Sequence, residues 1–321
     1  MLTLQSHLPA DHLAAALRAD VSRGLTAIPK ELPPKWFYDE RGSQLFEEIT
    51  RLPEYYPTRA ERAILLDRSA QIAALTGART LVELGSGAAE KTRLLIDALR
   101  SAGTLRRYVP VDVSESALVE SGRSLIADYP GLAVQPVLAD FEHQLGVLPP
   151  GGRQLVAFLG GTIGNLQPAA RAEFLAAVRA AAEPGDGLLL GADLVKSPAV
   201  LVPAYDDAAG VTAEFNRNVL HVINRELTAD FDIPAFTHLA VWDAEHEWIE
   251  MRLRSERDQR VRIADLDLEI RFAAGEEMRT EVSAKFRRDG LTAELTAAGF
   301  DVRHWWTDSG GRFAVTLAEA V

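Results

Sequence analysis

The feature that most constrains the fold is a short apolar run that ends in a turn with two glycines. Residues 81–84 form the run, residues 85–87 read Gly-Ser-Gly, and residues 88–92 have the character of a helix start. Glycines at such a turn let the backbone come close to a ligand at the carboxyl end of a strand. The segment therefore predicts a strand, a ligand-binding turn and a helix within an α/β fold.

The residues around this turn disfavour a dinucleotide. A dinucleotide-binding turn reads G-x-G-x-x-G or G-x-G-x-x-A, because the third small residue lets the helix pack closely on the strand. That position holds Glu90 here, and a pyrophosphate would also meet the Glu83 carboxylate just before the turn. The spacing does not fit the phosphate-binding loop G-x-x-x-x-G-K-[ST] either. NAD and FAD are therefore disfavoured.

S-adenosyl-L-methionine fits the turn better, because it carries a sulfonium cation and no phosphate. We expect the Glu83 carboxylate beside the turn to favour such a cationic ligand. The strand predicted over 107–112 ends at Asp112, whose carboxylate can accept hydrogen bonds from both ribose hydroxyls. After the following strand, Asp140 can accept from the adenine amino group and Phe141 can cover the ring. Three strand ends in chain order thus predict this cofactor. The alternative is that they are ordinary strand-end carboxylates in an acidic protein.

Strands and helices alternate regularly around the turn. The predicted strands are 80–84, 107–112, 133–138, 154–159 and 187–191, and the predicted helices are 59–75, 90–101, 114–128 and 168–182. Thr58 is expected to cap the first of these helices. Near the end of the chain, a helix over 291–298 precedes a hairpin of strands 300–307 and 312–318. The pattern predicts the class I methyltransferase fold, a doubly wound, Rossmann-like sheet of seven strands whose last strand is antiparallel.

The rest of the chain has a different pattern and predicts a second, α+β domain. Helical patterns cover 8–28, 42–52 and 205–227, and strand-like alternation covers 238–242, 248–254, 260–264 and 266–272. We therefore expect a cofactor-binding methyltransferase domain over 59–196 and 287–321. Residues 1–58 and 197–286 would form a substrate-recognition domain.

Composition and charge disfavour several classes of protein. A net charge of −12 argues against a nucleic-acid partner. The absence of cysteine excludes disulfides, thiolate metal sites and a cysteine nucleophile. The histidines lack H-E-x-x-H and H-x-x-E-H spacing, so no metal site is expected. Since no signal sequence or long apolar stretch is visible, we expect a cytoplasmic protein with no membrane partner. We also expect a monomer that acts on a small molecule.

Several longer strings are more specific than the glycine turn. They read PPKWFYD at 33–39, LPEYYPTR at 52–59, ELGSG at 83–87, TIGN at 162–165, YDDAAGVT at 205–212, FNRN at 215–218, GEEM at 275–278 and EVS at 281–283. With these strings the chain closely resembles, over essentially its whole length, the actinobacterial L-histidine Nα-methyltransferases of ergothioneine biosynthesis. The resemblance implies trimethylation of the histidine α-amino group to hercynine.

The resemblance also implies roles for individual residues. Those that hold the cofactor would be Tyr38, Gly85, Lys91, Asp112, Asp140 and Phe141. Asn165 and Tyr205 would hold the amino-acid end of the substrate, and Tyr38 and Asn165 would serve as catalytic residues. The residues that recognise the imidazole ring would be Tyr55, Glu281 and Ser283.

The chain departs from the expected pattern at two places. Gly161 stands where serine is expected, and Ala88-Ala89 stands where a pair of hydroxyl residues is expected before Glu90. The loss of these hydroxyls would weaken contacts near the methionine end of the cofactor. Neither departure touches the residues expected to read the imidazole.

The implied chemistry agrees with these residue types. Methyl transfer from a sulfonium is an in-line displacement that needs a well-positioned neutral amine, and an α-amino group with a pKa of about 8 must first lose its proton. Asn165 offers an acceptor for the amine and donors for the adjacent carboxylate, to which Tyr205 can also donate. Glu281 and Ser283, two residues apart in an extended chain, point the same way and can bond both imidazole nitrogens.

The sequence alone does not exclude three other functions. They are methylation of another small amine, cofactor binding without catalysis, and a nicotinamide-dependent oxidoreductase. Only Tyr55, Glu281 and Ser283 separate the first of these from histidine methylation, whereas Glu90 disfavours the oxidoreductase. Individually, Glu281 could also be a surface carboxylate and Lys91 a solvated charge at a helix start.

Overall fold

The computed structural model describes residues 3–9, 11–87, 89–141, 144–147 and 152–321. The chain divides into two compact units. The first unit comprises Met1–Pro9, Pro57–Leu194 and Phe286–Val321, and the second comprises Ala10–Tyr56 and Val195–Lys285.

The strands are β1 (Gln5–Ser6), β2 (Lys30–Glu31), β3 (Thr80–Leu84), β4 (Arg107–Asp112), β5 (Ala133–Val134), β6 (Val137–Leu138), β7 (Gln154–Phe158), β8 (Gly187–Asp193), β9 (Phe236–Asp243), β10 (Trp248–Ser255), β11 (Gln259–Ile263), β12 (Leu268–Phe272), β13 (Glu277–Ala284), β14 (Phe300–Thr307) and β15 (Phe313–Ala320). The α-helices are α1 (His12–Thr26), α2 (Glu40–Arg51), α3 (Pro57–Thr76), α4 (Thr92–Ser101), α5 (Glu115–Asp128), α6 (Pro168–Ala181), α7 (Pro198–Tyr205), α8 (Val211–Glu226) and α9 (Arg288–Ala297).

The first unit contains a large sheet whose described strands run in the order β1-β6-β4-β3-β7-β8-β15-β14, with β5 also paired to β4. The pairs from β1 to β8 are parallel, and β15 runs antiparallel to both of its neighbours. Every residue of β3 is buried, as expected for a central strand covered on both faces. The predicted class I methyltransferase fold with an antiparallel last strand is confirmed. The described sheet has nine strands where seven are predicted, because β1 is added and one predicted strand is split into β5 and β6.

Several boundaries differ from the prediction for local reasons. The strand predicted over 133–138 is split into β5 and β6, because Pro136 between them has no N–H for the ladder. Helix α3 begins at Pro57, so Thr58 lies inside the first turn and is not the cap. Proline suits that first position because it lacks an N–H that would be unpaired there.

The N-terminal segment also lies elsewhere than predicted. The sequence predicts that residues 1–9 belong to the second domain, but β1 pairs with β6 and extends the sheet of the first unit. A two-residue strand carries too short a hydrophobic pattern to be recognised in the sequence.

The second unit is built on the sheet β2-β13-β10-β9 and a separate hairpin of β11 and β12. Its core is one apolar cluster that includes residues of α1, α2, α7 and α8. The helix predicted over 205–227 is interrupted, since α7 ends at Tyr205 and α8 begins at Val211. The Asp207 carboxylate accepts from the backbone N–H groups of Val211 and Thr212, at 3.0 and 2.7 Å, and so starts the second helix.

Gly42, in α2, is packed so closely that a side chain does not fit. An added Cβ would lie 1.6 Å from the Phe37 carbonyl oxygen. We expect Gly42→Ala to lower the free energy of unfolding by about 3 kcal/mol, as overpacked sites do. Denaturant unfolding measures this loss. The matched control is Gly290→Ala in α9, where an added Cβ meets nothing within 4 Å. Equal losses in both variants would contradict the packing argument.

Among the described helices, none combines the length and the apolar character needed to cross a membrane.

Candidate active site

In the first unit, the predicted cofactor residues follow neighbouring parallel strands. Gly85 follows β3, Asp112 ends β4, and Asp140 and Phe141 follow β6. The carboxyl ends of adjacent parallel strands lie at one edge of the sheet, where α/β proteins bind their ligands. The structure therefore brings these four residues together at this edge.

The glycine turn has a conformation that depends on its glycines. Gly85 and Gly87 have φ values of +69° and +45°, in the left-handed region. An added Cβ on Gly85 would lie 3.5 Å from the ring of Phe141, so the ring lies against the bare backbone of the turn. Phe141 is held there by the rings of Phe158 and Phe174, at centroid distances of 5.5 and 6.2 Å. A flat apolar surface thus stands beside the turn.

Asp112 is fixed by the backbone around it. Its Oδ2 accepts from the Gly87 N–H at 3.0 Å, and its Oδ1 accepts from the Ser114 N–H at 2.9 Å. Burial raises the pKa of this carboxyl group, and the backbone hydrogen bonds oppose that shift. Each carboxylate oxygen has more than one lone pair, so Asp112 can still accept from two hydroxyl groups of a ligand.

Glu83 does not have the role that the sequence suggested. We expected its carboxylate to stand beside the glycine turn and favour a cationic ligand. Instead Glu83 is buried, and the hydroxyl groups of Thr92 and Tyr108 donate to its two oxygens. Burial raises its pKa to about 7, and these hydrogen bonds oppose the shift. Its carboxylate therefore links β3 to β4 and to the start of α4.

The loop after β7 explains one departure from the expected pattern. Gly161 has a φ of +74°, and an added Cβ would lie 3.5 Å from the Phe313 ring. A serine in this conformation would be strained whatever the space around it. Asn165 ends the short 3₁₀ turn Thr162–Asn165 and is half-buried. Of the other departure, Ala88 lies outside the described residues, and Ala89 is buried.

In the second unit, three side chains form a hydrogen-bonded triangle. The Tyr205 and Ser283 hydroxyl oxygens lie 2.8 Å apart, and the Lys285 ammonium donates to both, at 2.7 and 2.8 Å. All three residues are buried. Lys285 was not predicted, although residues 281, 283 and 285 alternate along one face of an extended chain. That spacing was the signal that could have identified it.

Glu281 lies on β13 two residues from Ser283, opposite Met251 of β10. Its side chain is buried, and burial raises its pKa to about 7, while the positive charge of Lys285 opposes the shift. Among the described residues, none donates a hydrogen bond to this carboxylate. A buried acceptor without a donor is costly, so the arrangement suits a ligand that brings an N–H group.

Aromatic rings stand next to this group. The Tyr55 ring lies 6.3 Å from the Tyr205 ring and 6.1 Å from the Phe46 ring, edge to face in both pairs. The Tyr38 ring lies 5.6 Å from Phe46, and 45% of Tyr38 is exposed. The structure therefore gathers the second-unit residues predicted for the site into one cluster.

A buried network of hydrogen bonds, which the sequence did not indicate, connects to Tyr205 and to the strand that carries Glu281. The Asn216 amide donates to Nδ1 of His238 at 2.8 Å, so Nε2 of this ring carries the proton and donates to the Tyr205 carbonyl oxygen, also at 2.8 Å. Burial lowers the His238 pKa, in agreement with a neutral ring. The Asn216 carbonyl oxygen accepts from Thr280, the neighbour of Glu281, at 2.6 Å.

Within the described chain, no group of three or more His, Asp or Glu residues could hold a metal ion.

Comparison with known proteins adds to this geometry. The family model described as histidine-specific, SAM-dependent methyltransferase matches residues 17–320. Histidine N-alpha-methyltransferase of Mycolicibacterium smegmatis is 60% identical over 317 residues, and that of Mycobacterium tuberculosis is 57% identical over 317 residues; each alignment covers 99% of this chain and 99% of the relative. Ergothioneine biosynthesis protein 1 of Neurospora crassa is 33% identical over 201 residues, which cover 61% of this chain and 23% of the relative. The chain therefore belongs to the family of histidine-specific, SAM-dependent methyltransferases.

Proposed function

We propose that this protein transfers methyl groups from S-adenosyl-L-methionine to the α-amino group of L-histidine until the trimethylated product, hercynine, is formed. Its two mycobacterial relatives are histidine N-alpha-methyltransferases by name, and a fungal relative is an ergothioneine biosynthesis protein. We therefore place the reaction in ergothioneine biosynthesis. The observation that carries the proposal is the buried Glu281 carboxylate beside the Tyr205, Ser283 and Lys285 triangle.

The first-unit residues fit S-adenosylmethionine, which supplies an activated methyl group on its sulfonium. We propose that Asp112 accepts from the ribose hydroxyls, since each of its fixed oxygens keeps a free lone pair. Phe141 would cover the adenine ring, and Asp140 would accept from its amino group. Gly85 permits the close approach of the backbone, and Lys91 would hold the carboxylate of the methionine end. Tyr38 is the second-unit residue that we assign to the cofactor.

The second-unit residues fit the imidazole ring. Glu281 would accept from one ring N–H, and a hydroxyl of the triangle would donate to the other ring nitrogen, while the Tyr55 ring would pack on the substrate. An amino acid without this ring would leave Glu281 buried and unpaired, which gives strong discrimination. Asn165 and Tyr205 would hold the amino-acid end. The Asn165 amide makes no hydrogen bond to a described residue and so has both an acceptor and donors to offer.

Mass spectrometry of a reaction with the purified protein, S-adenosylmethionine and a panel of amino acids tests this function. We expect L-histidine to gain three methyl groups and the other amino acids to gain almost none. Methylation of a different amine in preference to histidine would overturn the substrate assignment and keep the cofactor site. Cofactor binding without any methylation would overturn the proposed activity itself.

We further propose that the enzyme works as a monomer in the cytoplasm. Each residue that we assign to substrate or cofactor has its role within a single chain, so no second copy is needed. Sedimentation analysis should give a mass near 35.0 kDa. A mass of twice that value at working concentrations would contradict the monomer.

A further inference from the structure

A buried carboxylate of the first unit has no part in the function described so far. Glu61 lies on α3, and its side chain is fully buried. Its oxygens accept from the Gly160 backbone N–H at 2.8 and 3.0 Å, and Oε2 also forms an ion pair with the Lys91 ammonium. Removing a carboxylate from water is expensive, and its partners must offset that cost.

A glycine on the neighbouring strand leaves room for this carboxylate. Gly191 lies on β8, and an added Cβ there would stand 2.0 Å from Oε1 of Glu61 and 3.2 Å from its Cδ. Any other residue at position 191 would therefore displace the carboxylate. Gly191 thus acts as a spacer that lets the charge lie beneath the loop after β7.

Glu61 joins two loops that follow adjacent strands. Lys91 follows β3 and Gly160 follows β7, and these two strands pair in parallel. An added Cβ on Gly160 would lie 3.7 Å from the Lys91 ammonium nitrogen. Glu61 therefore sets both the position of this ammonium and the path of the neighbouring loop, at the same edge as the glycine turn.

The two side chains of the ion pair between Glu61 and Lys91 differ in their exposure to solvent. The Lys91 side chain is 23% exposed, whereas that of Glu61 is 0% exposed. Among the described residues, the Lys91 ammonium has Glu61 as its hydrogen-bond acceptor, and an ammonium group has three N–H donors. The side of the ammonium that faces away from Glu61 can therefore donate to a ligand.

We infer that Glu61 is a positioning residue for the methionine end of S-adenosylmethionine, acting through Lys91. This inference rests on the proposed function, in which Lys91 holds the cofactor's carboxylate. Two effects follow from the geometry. Glu61 keeps the ammonium in one place, and its negative charge offsets a cation that would otherwise repel the cofactor's own ammonium and sulfonium groups.

Glu61→Gln tests the inference, because the amide keeps an acceptor for Gly160 and removes the negative charge. Two ligands are compared by calorimetry. S-adenosylhomocysteine has the amino-acid end, and methylthioadenosine lacks it but keeps the nucleoside. We expect the variant to bind S-adenosylhomocysteine about 10-fold more weakly, the effect of one charge-assisted interaction, and methylthioadenosine as tightly as the parent does. The KM for histidine should be unchanged.

Three comparisons make the result decisive. Glu294→Gln, which also removes a carboxylate paired with an arginine of the first unit, should change neither ligand's affinity. Lys91→Met combined with Glu61→Gln should cost no more than Lys91→Met alone, because both act on one contact. Glu61→Asp keeps the charge at a shorter reach, so it should show the same selective loss to a smaller degree and replaces the glutamine variant if that one does not fold.

Unchanged binding of S-adenosylhomocysteine by Glu61→Gln, or an equal loss for both ligands, would overturn the inference. The first result would mean that the ion pair of Glu61 and Lys91 does not affect cofactor binding. The second would mean that Glu61 stabilises the fold of the whole site and not the methionine end alone. Failure of the proposed function looks different, because the parent protein would then bind S-adenosylhomocysteine poorly or leave histidine unmethylated.

Discussion

Replacing Glu281 with alanine is expected to lower kcat/KM for L-histidine by about 100-fold, since a hydrogen bond to a charged group contributes about 1.5–3 kcal/mol. The Kd of S-adenosylhomocysteine should stay unchanged, because Glu281 is not among the residues that we assign to the cofactor. Steady-state kinetics and calorimetry on the same preparation measure the two quantities.

The control for this variant is Glu269→Ala. Glu269 lies on β12 of the same unit, and its side chain is 52% exposed, so its loss should leave histidine turnover unchanged. Equal turnover by Glu281→Ala and the parent protein would remove Glu281 from the site. A parallel loss of cofactor binding would mean that the substitution disturbs more than the substrate.

The raised pKa of Glu281 leads us to expect that kcat/KM for histidine depends on pH. Burial raises this pKa to about 7, against the opposing charge of Lys285, so the carboxyl group loses its proton only near neutrality. The ionised form is the better acceptor for an imidazole N–H. We expect kcat/KM for histidine to fall as the pH drops through about 7. The pH profile of Glu281→Gln should lack this inflection and keep the one that comes from the substrate amine, at a pH of about 8. An inflection near 7 that persists in the glutamine variant would belong to another group.

Asp112→Ala is expected to weaken S-adenosylhomocysteine binding by about 100-fold, because each hydrogen bond to a charged group contributes about 1.5–3 kcal/mol. The substitution also frees the N–H groups of Gly87 and Ser114, which Asp112 now accepts from. The lost hydrogen bonds to the ribose and the freed N–H groups both weaken cofactor binding. Calorimetric titration measures the change, and the thermal midpoint shows that the variant is folded.

Asp128→Ala is the matched control for this second substitution. Asp128 lies at the end of α5 with a side chain that is 51% exposed and paired with Arg93, away from the glycine turn in sequence. We expect its cofactor affinity to equal that of the parent. If Asp112→Ala also kept full affinity, the assignment of the ribose to the end of β4 would have to be abandoned.

The sheet and the cofactor edge could be predicted because their signals are local. The glycine turn, the apolar strands and the residues that end them stand close together in the chain, and parallel strands bring their ends to one edge. The face shared by Glu281 and Ser283 follows from strand periodicity alone. The split between α7 and α8 could not be predicted, because the group that accepts from the first N–H groups of α8 is the side chain of Asp207, within a run that otherwise looks helical.

The supporting residues could not be predicted because their partners are distant in sequence. Glu61 meets a lysine 30 residues away and an amide 99 residues away. The contacts of His238 join three separate elements through their register in the fold. The partners of Glu83 also belong to other elements, since the hydroxyl groups that donate to it come from α4 and β4. The sequence does not indicate the burial of these three residues, because their partners lie on other elements of the fold.

The most direct test of the proposed reaction locates the transferred methyl groups. The purified protein is supplied with S-adenosylmethionine labelled with ¹³C in its methyl group and with L-histidine labelled with ¹⁵N at the α-amine, and the product is examined by NMR. We expect a single signal from three equivalent methyl groups, each coupled directly to the α-nitrogen. Methyl groups on a ring nitrogen, or none on histidine, would contradict the proposed reaction.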